Sequence, residues 1–155
     1  MGAHKVTRYH DFSAGHRVKG HESKCRWLHG HNYRIYFTCE AKTGLDNVGR
    51  VIDFSVMKER LCQWLEDNWD HRMILWDEDT EVLEAFTRKG ALAPSVVTVP
   101  FNPTAENMAE YLVLAVGPEV LADTDVILTA VTVEETRKCS ATFVLGQWIE
   151  EPVYA

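Results

Sequence analysis

The sequence predicts an α+β domain: a four-stranded, mostly antiparallel sheet with helices on one face. Two observations lead there. Stretches rich in β-branched and aromatic residues lie at both ends of the chain, and the middle carries apolar residues at helical spacing. A third bounds the size: 155 residues, 46% hydrophobic and 25% charged, are one domain's worth, residues 1–155, with enough chain to bury a core.

The elements follow in order. Residues 5–18 read as a strand with Val6, Phe12 and His16 on one parity, and 33–41 as a second. The polar stretch 19–28 is a loop, and 42–49, with Gly44 and Asp46-Asn47, a turn. Asp53 is placed to cap a helix whose apolar positions are Phe54, Met57, Leu61, Trp64 and Leu65, ending near Trp69. Residues 77–88 form a short helix stopped by Gly90, and 96–99 a short strand. Thr104 caps a further helix with Met108, Tyr111, Leu112 and Ala115 on its apolar face; Asn107 stands where a capping box would carry Glu or Gln. Strands at 126–136 and 140–148 close the chain. A sheet this small leaves two edges to be covered, so pairing with other copies into an oligomer is expected.

Composition removes several function classes. A formal net charge of -7 disfavours nucleic acid as a partner, since phosphate contacts need neutralising cations. No apolar run approaches the roughly 20 residues of a membrane span. The amino-terminal segment lacks the apolar region of a secretion signal, so a cytoplasmic location is expected. Cys25, Cys39, Cys62 and Cys139 are widely spaced without a CxxC pair and read as free thiols.

The densest chemistry lies in Cys25-Arg-Trp-Leu-His29-Gly-His31-Asn-Tyr33. On an extended backbone, His29 and His31 point to the same side. Gly30 between them allows a bend or a close backbone approach. If the first two strands form a hairpin, His16 arrives beside them. Three neutral imidazoles with an open fourth position is the donor set of catalytic zinc, with Cys25 a rival for the fourth position. The cupin pattern, which shares HxH, fails because Ile35 and Tyr36 stand where its Glu belongs. His4, His10 and His21 read as exposed or incidental.

Further motifs follow in order: Phe12-Ser-Ala-Gly-His16, Cys25-x-x-x-His29-Gly-His31-Asn-Tyr33, Asp70-His71, Pro103-Thr104-Ala-Glu106-Asn107 and Glu135-Thr136. With these the sequence resembles the pyruvoyltetrahydropterin synthase family over residues 7–146. It is most similar to the branch that makes carboxytetrahydropterin for queuosine and other 7-deazapurines. The spacing of Cys25, four residues before His29, is that branch's. A folate-linked branch tends to carry Glu at the cysteine position. The resemblance implies the tunnelling fold, a four-stranded antiparallel sheet with two main helices on one face, in which three such sheets join into a barrel and two trimers stack as a homohexamer with active sites at subunit interfaces.

It also implies the chemistry. The substrate class is a pterin triphosphate, 7,8-dihydroneopterin triphosphate, converted by a zinc-dependent lyase to 6-carboxy-5,6,7,8-tetrahydropterin with release of triphosphate and acetaldehyde. His16, His29 and His31 would hold Zn2+, and Cys25 would be the thiolate that takes a C–H proton, its pKa lowered by the metal, Lys24 or Arg26. Asp70 and His71 match the family's proton-transfer pair; as sequence neighbours they would work with groups on another subunit. After them, Met73-Ile74-Leu75-Trp76 departs from the family, which often carries an Asn there. Glu135 matches the carboxylate that accepts the two-donor edge of the pterin, with Glu134 its rival. Thr104 and Glu106 belong to the PTxEN motif and read equally as a cap and a first-turn acid. Arg17, Lys19, Lys24 and Arg26 are candidates for the triphosphate or simply surface. The alternatives are a 6-pyruvoyltetrahydropterin synthase or related side-chain lyase, which could use the same residues, and a zinc-stabilised pterin-binding protein without turnover.

Overall fold

The computed structural model describes residues 2–87 and 93–146. Its strands are β1 (Lys5–His16), β2 (His29–Ala41), β3 (Met73–Trp76), β4 (Val96–Val99), β5 (Val126–Thr136) and β6 (Cys139–Val144). They form one sheet in the order β4-β3-β1-β2-β5-β6. The four long strands pair antiparallel, as their alternating sequences require. On the outer edge of β1, β3 and then β4 are added in parallel. The sheet is therefore mixed and six-stranded, which corrects the four-stranded antiparallel expectation. β3 escaped because it is four residues long and Ile74 and Leu75 are both fully buried, so its pattern does not alternate.

β1 and β2 are in register from Lys5↔Glu40 to His16↔His29. β2 thus begins four residues earlier than its aromatic run suggested, because Gly15 and Gly30 face each other across the ladder. A Cβ on Gly30 would stand 3.2 Å from the Ala14 carbonyl oxygen, and one on Gly15 2.7 Å from the Met73 side chain. The crowding at Gly30 is against backbone, whereas at Gly15 the end of the Met73 side chain could move aside. β6 starts at Cys139 and is described to Val144, and the expected positions 147 and 148 lie outside the described residues.

Three helices accompany the sheet. α1 runs through Phe54–Met57, a π-turn at Lys58–Cys62, and Gln63–Asn68. Asp53 caps it, accepting the Ser55 N–H at 2.8 Å. α2 is Thr80–Thr87; it starts later than expected, and the stop at Gly90 lies outside the described residues. α3 comprises Ala105–Tyr111, a π-turn at Leu112–Val116, and Gly117–Val120. Its cap is Thr104, whose hydroxyl accepts the Asn107 N–H at 3.1 Å.

The core lies between the helices and one sheet face. Phe12 and Ala14 of β1, Tyr33, Ile35 and Phe37 of β2, and Val131 and Val133 of β5 meet Met57, Leu61 and Leu65 of α1 and Met108, Leu112 and Val116 of α3. Burying each large side chain contributes about 1.5–3 kcal/mol. The other face carries Tyr9, Asp11, Ser13, Asn32 and Arg34, with the Arg34 guanidinium 4.1 Å over the Tyr9 ring and paired to Asp11. Among the described residues no helix is long and apolar enough to cross a membrane.

Candidate metal centre and active site

The hairpin register decides the first half of the site. His16 ends β1 opposite His29, and His31 follows two residues later on the same face. The three rings converge, with centroids 4.5 Å apart for His16–His29, 5.1 Å for His16–His31 and 4.9 Å for His29–His31. One nitrogen from each lies within 4.8 Å of the others, so the trio could hold a metal ion.

The hydrogen bonds around the rings aim their lone pairs inward. His16 Nδ1–H donates to the Pro103 carbonyl at 2.7 Å, and His29 Nδ1–H donates to the Trp27 carbonyl at 2.7 Å. A carbonyl only accepts, so in each neutral ring Nε2 carries no proton. Those two Nε2 atoms face each other at 3.0 Å. Two lone pairs at that distance repel unless a cation lies between them. His31 Nε2 is buried and has no hydrogen-bond partner. Both features fit a metal ligated by the trio, and the carbonyl partners of His16 and His29 are the outer contacts that orient metal-binding histidines. Burial lowers the pKa of His16 to about 4 despite the Pro103 bond, with the charges of His29 and His31 adding to the shift; burial, then His29, lowers that of His31. Both rings are therefore neutral ligands at neutral pH.

Glu135 stands beside the trio, 3.8 Å from His31 Nε2 and 4.0 Å from His16 Nε2. The β5–β6 register shifts between Glu134 and Thr136, a bulge that re-aims this side chain. Burial raises its pKa, opposed by His29 and reinforced by the charge of Glu106. Glu135 is thus the member of the Glu134–Glu135 pair beside the histidines, and Glu106 is near enough to be felt. Thr104 spends its hydroxyl on the α3 cap.

Cys25 sits on a 3-10 turn, Lys24–Arg26, held to the end of β1 by the Val18 N–H donating to the Cys25 carbonyl at 2.8 Å. It is partly exposed, in no disulfide, and outside the group of mutually close ligand atoms. Its charge is felt by Tyr33, whose phenol is pushed up by burial first and by Glu135 and Cys25 after it. The Tyr33 hydroxyl is buried without a hydrogen-bond partner, and its ring lies 5.4 Å from that of His31.

Asp70 and His71 do not join the trio. They bond each other directly, His71 Nδ1–H to Asp70 Oδ2 at 2.8 Å, which corrects the expectation that adjacent residues would not. The contact is possible because His71 has φ +58°, a left-handed backbone that costs a non-glycine residue about 1 kcal/mol or more. Asp70 Oδ1 accepts the Ser13 N–H at 3.1 Å, and the Ser13 side chain bonds Asn32 on the sheet face opposite His31. His71 is 81% exposed, whereas His16 is 1% exposed. A cavity of about 990 Å³ is lined by His31, Tyr33 and Glu135 and also by Asp70 and His71.

Much of the basic cluster is committed elsewhere. Arg17 makes a bidentate pair with the buried Asp79 at 2.7 and 2.5 Å. Lys19 Nζ donates to the Glu78 carbonyl at 3.3 Å and lies over Trp76. Arg26 donates to the Glu22 carbonyl and stacks on Trp27.

With this geometry in hand, the comparisons are specific. The model of a family described as 6-pyruvoyl tetrahydropterin synthase matches residues 5–145. The chain belongs to that family. Proteins named 6-carboxy-5,6,7,8-tetrahydropterin synthase resemble it: that of Rickettsia typhi is 37% identical over 87% of this chain and 96% of its own, and that of Rickettsia bellii 36% over the same shares. The chain is thus an enzyme, a lyase of the 6-pyruvoyl tetrahydropterin synthase family. Among solved structures, an uncharacterized Wolinella succinogenes protein superimposes with a TM-score of 0.79 at 22% identity, covering 93% of this chain and 99% of that one. A Plasmodium vivax 6-pyruvoyltetrahydropterin synthase gives 0.68 at 21%, covering 92% and 98%. At such identities these structures establish the shared fold.

Sequence reading missed Pro103 and Trp27, which act through backbone carbonyls and so carry no side-chain signature. Pro103 lies in the PTxEN motif, whose polar members had drawn the attention. Tyr33 follows the HGH motif at the next same-face position, a signal that was available.

Proposed function

We propose that this enzyme is a zinc-dependent 6-carboxy-5,6,7,8-tetrahydropterin synthase. It would convert 7,8-dihydroneopterin triphosphate and one water to 6-carboxy-5,6,7,8-tetrahydropterin, releasing triphosphate and acetaldehyde, for queuosine and other 7-deazapurines. The observation that carries this reading is the three-imidazole centre with Glu135 beside it, in a chain whose relatives bear that name. Zn2+ held by His16, His29 and His31 would supply Lewis-acid polarisation of the substrate's side-chain oxygens.

The remaining work falls to the chain's own residues. Cys25 takes the C–H proton as thiolate, and its place outside the ligand group suits a base. Glu135 accepts the amino group and ring N–H of the pterin, with Glu106 close by and Thr104 fixing the α3 terminus. Asp70 holds the Nδ1–H tautomer of His71 and leaves His71 Nε2 to exchange a proton with substrate. This pair, outside the histidine group and with His71 exposed, would serve a neighbouring subunit's site. That accords with a single domain over residues 1–155 that assembles as a trimer or hexamer through the open edges of β4 and β6, works in the cytoplasm, and binds neither nucleic acid nor membrane.

The test is to incubate the zinc-loaded protein with dihydroneopterin triphosphate and identify products by mass. Carboxytetrahydropterin with acetaldehyde supports the proposal. The pyruvoyl compound would transfer the chain to the activity for which its family is named, and unchanged substrate would refute both.

A further inference from the structure

His29 takes its orientation from a carbonyl 2 positions away in sequence, His16 from one 87 positions away. That distant carbonyl, of Pro103, is held from two sides. Asn102 spends its whole side-chain amide on Lys19: Oδ1 accepts the Lys19 N–H at 3.1 Å, and Nδ2–H donates to the Lys19 carbonyl at 2.9 Å. Lys19 follows closely on His16, so these bonds tie the chain leaving β1 to the segment entering α3. From the other side, the Asn102 carbonyl accepts the Thr104 N–H at 2.7 Å, a three-residue turn centred on Pro103, and the Asn107 Nδ2–H at 3.0 Å.

This accounts for the residue at 107. In a capping box, the side chain at this position accepts the N–H of the cap residue. Here the Thr104 N–H is already taken by the Asn102 carbonyl, and the side chain donates to that same oxygen. An amide can donate, and the carboxylate of a box cannot.

We propose that Asn102 and Asn107 are positioning residues for the metal centre: together they hold the Pro103 carbonyl against His16 Nδ1, so that His16 Nε2 presents its lone pair to the ion. The inference rests on the reading of His16 as a metal ligand.

The trio offers His16 a competing arrangement. His16 Nε2 faces His29 Nε2 at 3.0 Å. Without an ion, a proton moved to His16 Nε2 would bond the two rings to each other and block the site. A carbonyl held 2.7 Å from Nδ1 opposes that move, because Nδ1 would then face it lone pair to lone pair. A carbonyl free to swing away would not. The plainer alternative is that the two asparagines only close a loop and steady the start of α3.

Two measurements separate these. Imidazole 15N shifts of the metal-free chain report which nitrogen of His16 carries the proton, and competition with a chelator gives the zinc affinity. The wild-type protein should hold His16 mainly as the Nδ1–H tautomer. Asn107→Leu keeps the size of the side chain and suits a helix, but removes the donor to the Asn102 carbonyl. It should turn His16 mainly to Nε2–H and weaken zinc binding about tenfold or more. Asn102→Ala should move both readouts the same way, and serves if Asn107→Leu does not fold. Either readout left at its wild-type value in a folded variant overturns the proposal, as does a wild-type His16 already protonated on Nε2. A wild-type chain with no zinc affinity would refute the metal reading itself, and the tautomer would still decide for or against the asparagines.

Discussion

Two regions of the molecule hold two kinds of histidine. On the helix-covered face of the β1–β2 hairpin, His16, His29 and His31 are packed together, and the first two are oriented by the carbonyls of Pro103 and Trp27. In the turn between α1 and β3, His71 is exposed, oriented by a carboxylate, and reached through a strained backbone. A carbonyl fixes a tautomer without adding charge, which suits a ring that must stay neutral to bind metal. A carboxylate also stabilises the protonated ring, which suits a group that must take and return a proton. The same side chain is thus set to two tasks by what stands behind it.

That contrast can be broken by experiment. His16→Ala or His29→Ala should abolish stoichiometric metal by elemental analysis and lower kcat/KM by on the order of 10³-fold or more. Cys25→Ala should retain the metal and lose about 10²–10⁴-fold in kcat, and if it loses the metal instead, the thiol is a ligand. His71→Ala should also keep the metal. If the Asp70–His71 pair serves a neighbour's site, mixed reassembly of His16→Ala with His71→Ala chains should recover about one quarter of wild-type activity, since that share of interfaces pairs an intact trio with an intact His71. No recovery would place both groups in one chain's site.

The smaller effects concern stability. His16 has its pKa lowered to about 4 in the folded, metal-free protein against about 6.5 when unfolded, so the unfolded chain binds more protons between those values. Stability is complete above about pH 6.5 and falls with pH below it, by up to about 3 kcal/mol near pH 4. Urea titrations of the metal-free protein across that window should show the loss, and a His16→Ala protein should show much less. Tyr33→Phe removes a buried hydroxyl that has no partner, and should leave the metal-free protein as stable or about 1 kcal/mol more so.

How legible this was in the sequence differs between the two regions as well. The trio could be read because alternation put His29 and His31 on one side and a hairpin brought His16 to them. Asp53 and Thr104 were readable as caps because capping is local. β3 was not, since a doubly buried four-residue strand has no period. Nor was the direct Asp70–His71 bond, which depends on a positive φ that non-glycine residues uncommonly adopt. The placement of Pro103 against His16 joins residues 87 apart through a backbone atom, and only the tertiary structure shows it.

The central claim is that three imidazoles converge on one cation while Cys25 stays off it. X-ray absorption at the zinc edge of the purified, zinc-loaded protein measures this directly. The account predicts three nitrogen neighbours at about 2.0–2.1 Å, a light-atom ligand completing the shell, and no sulfur. A sulfur neighbour at about 2.3 Å, or protein that takes up no zinc, would contradict it.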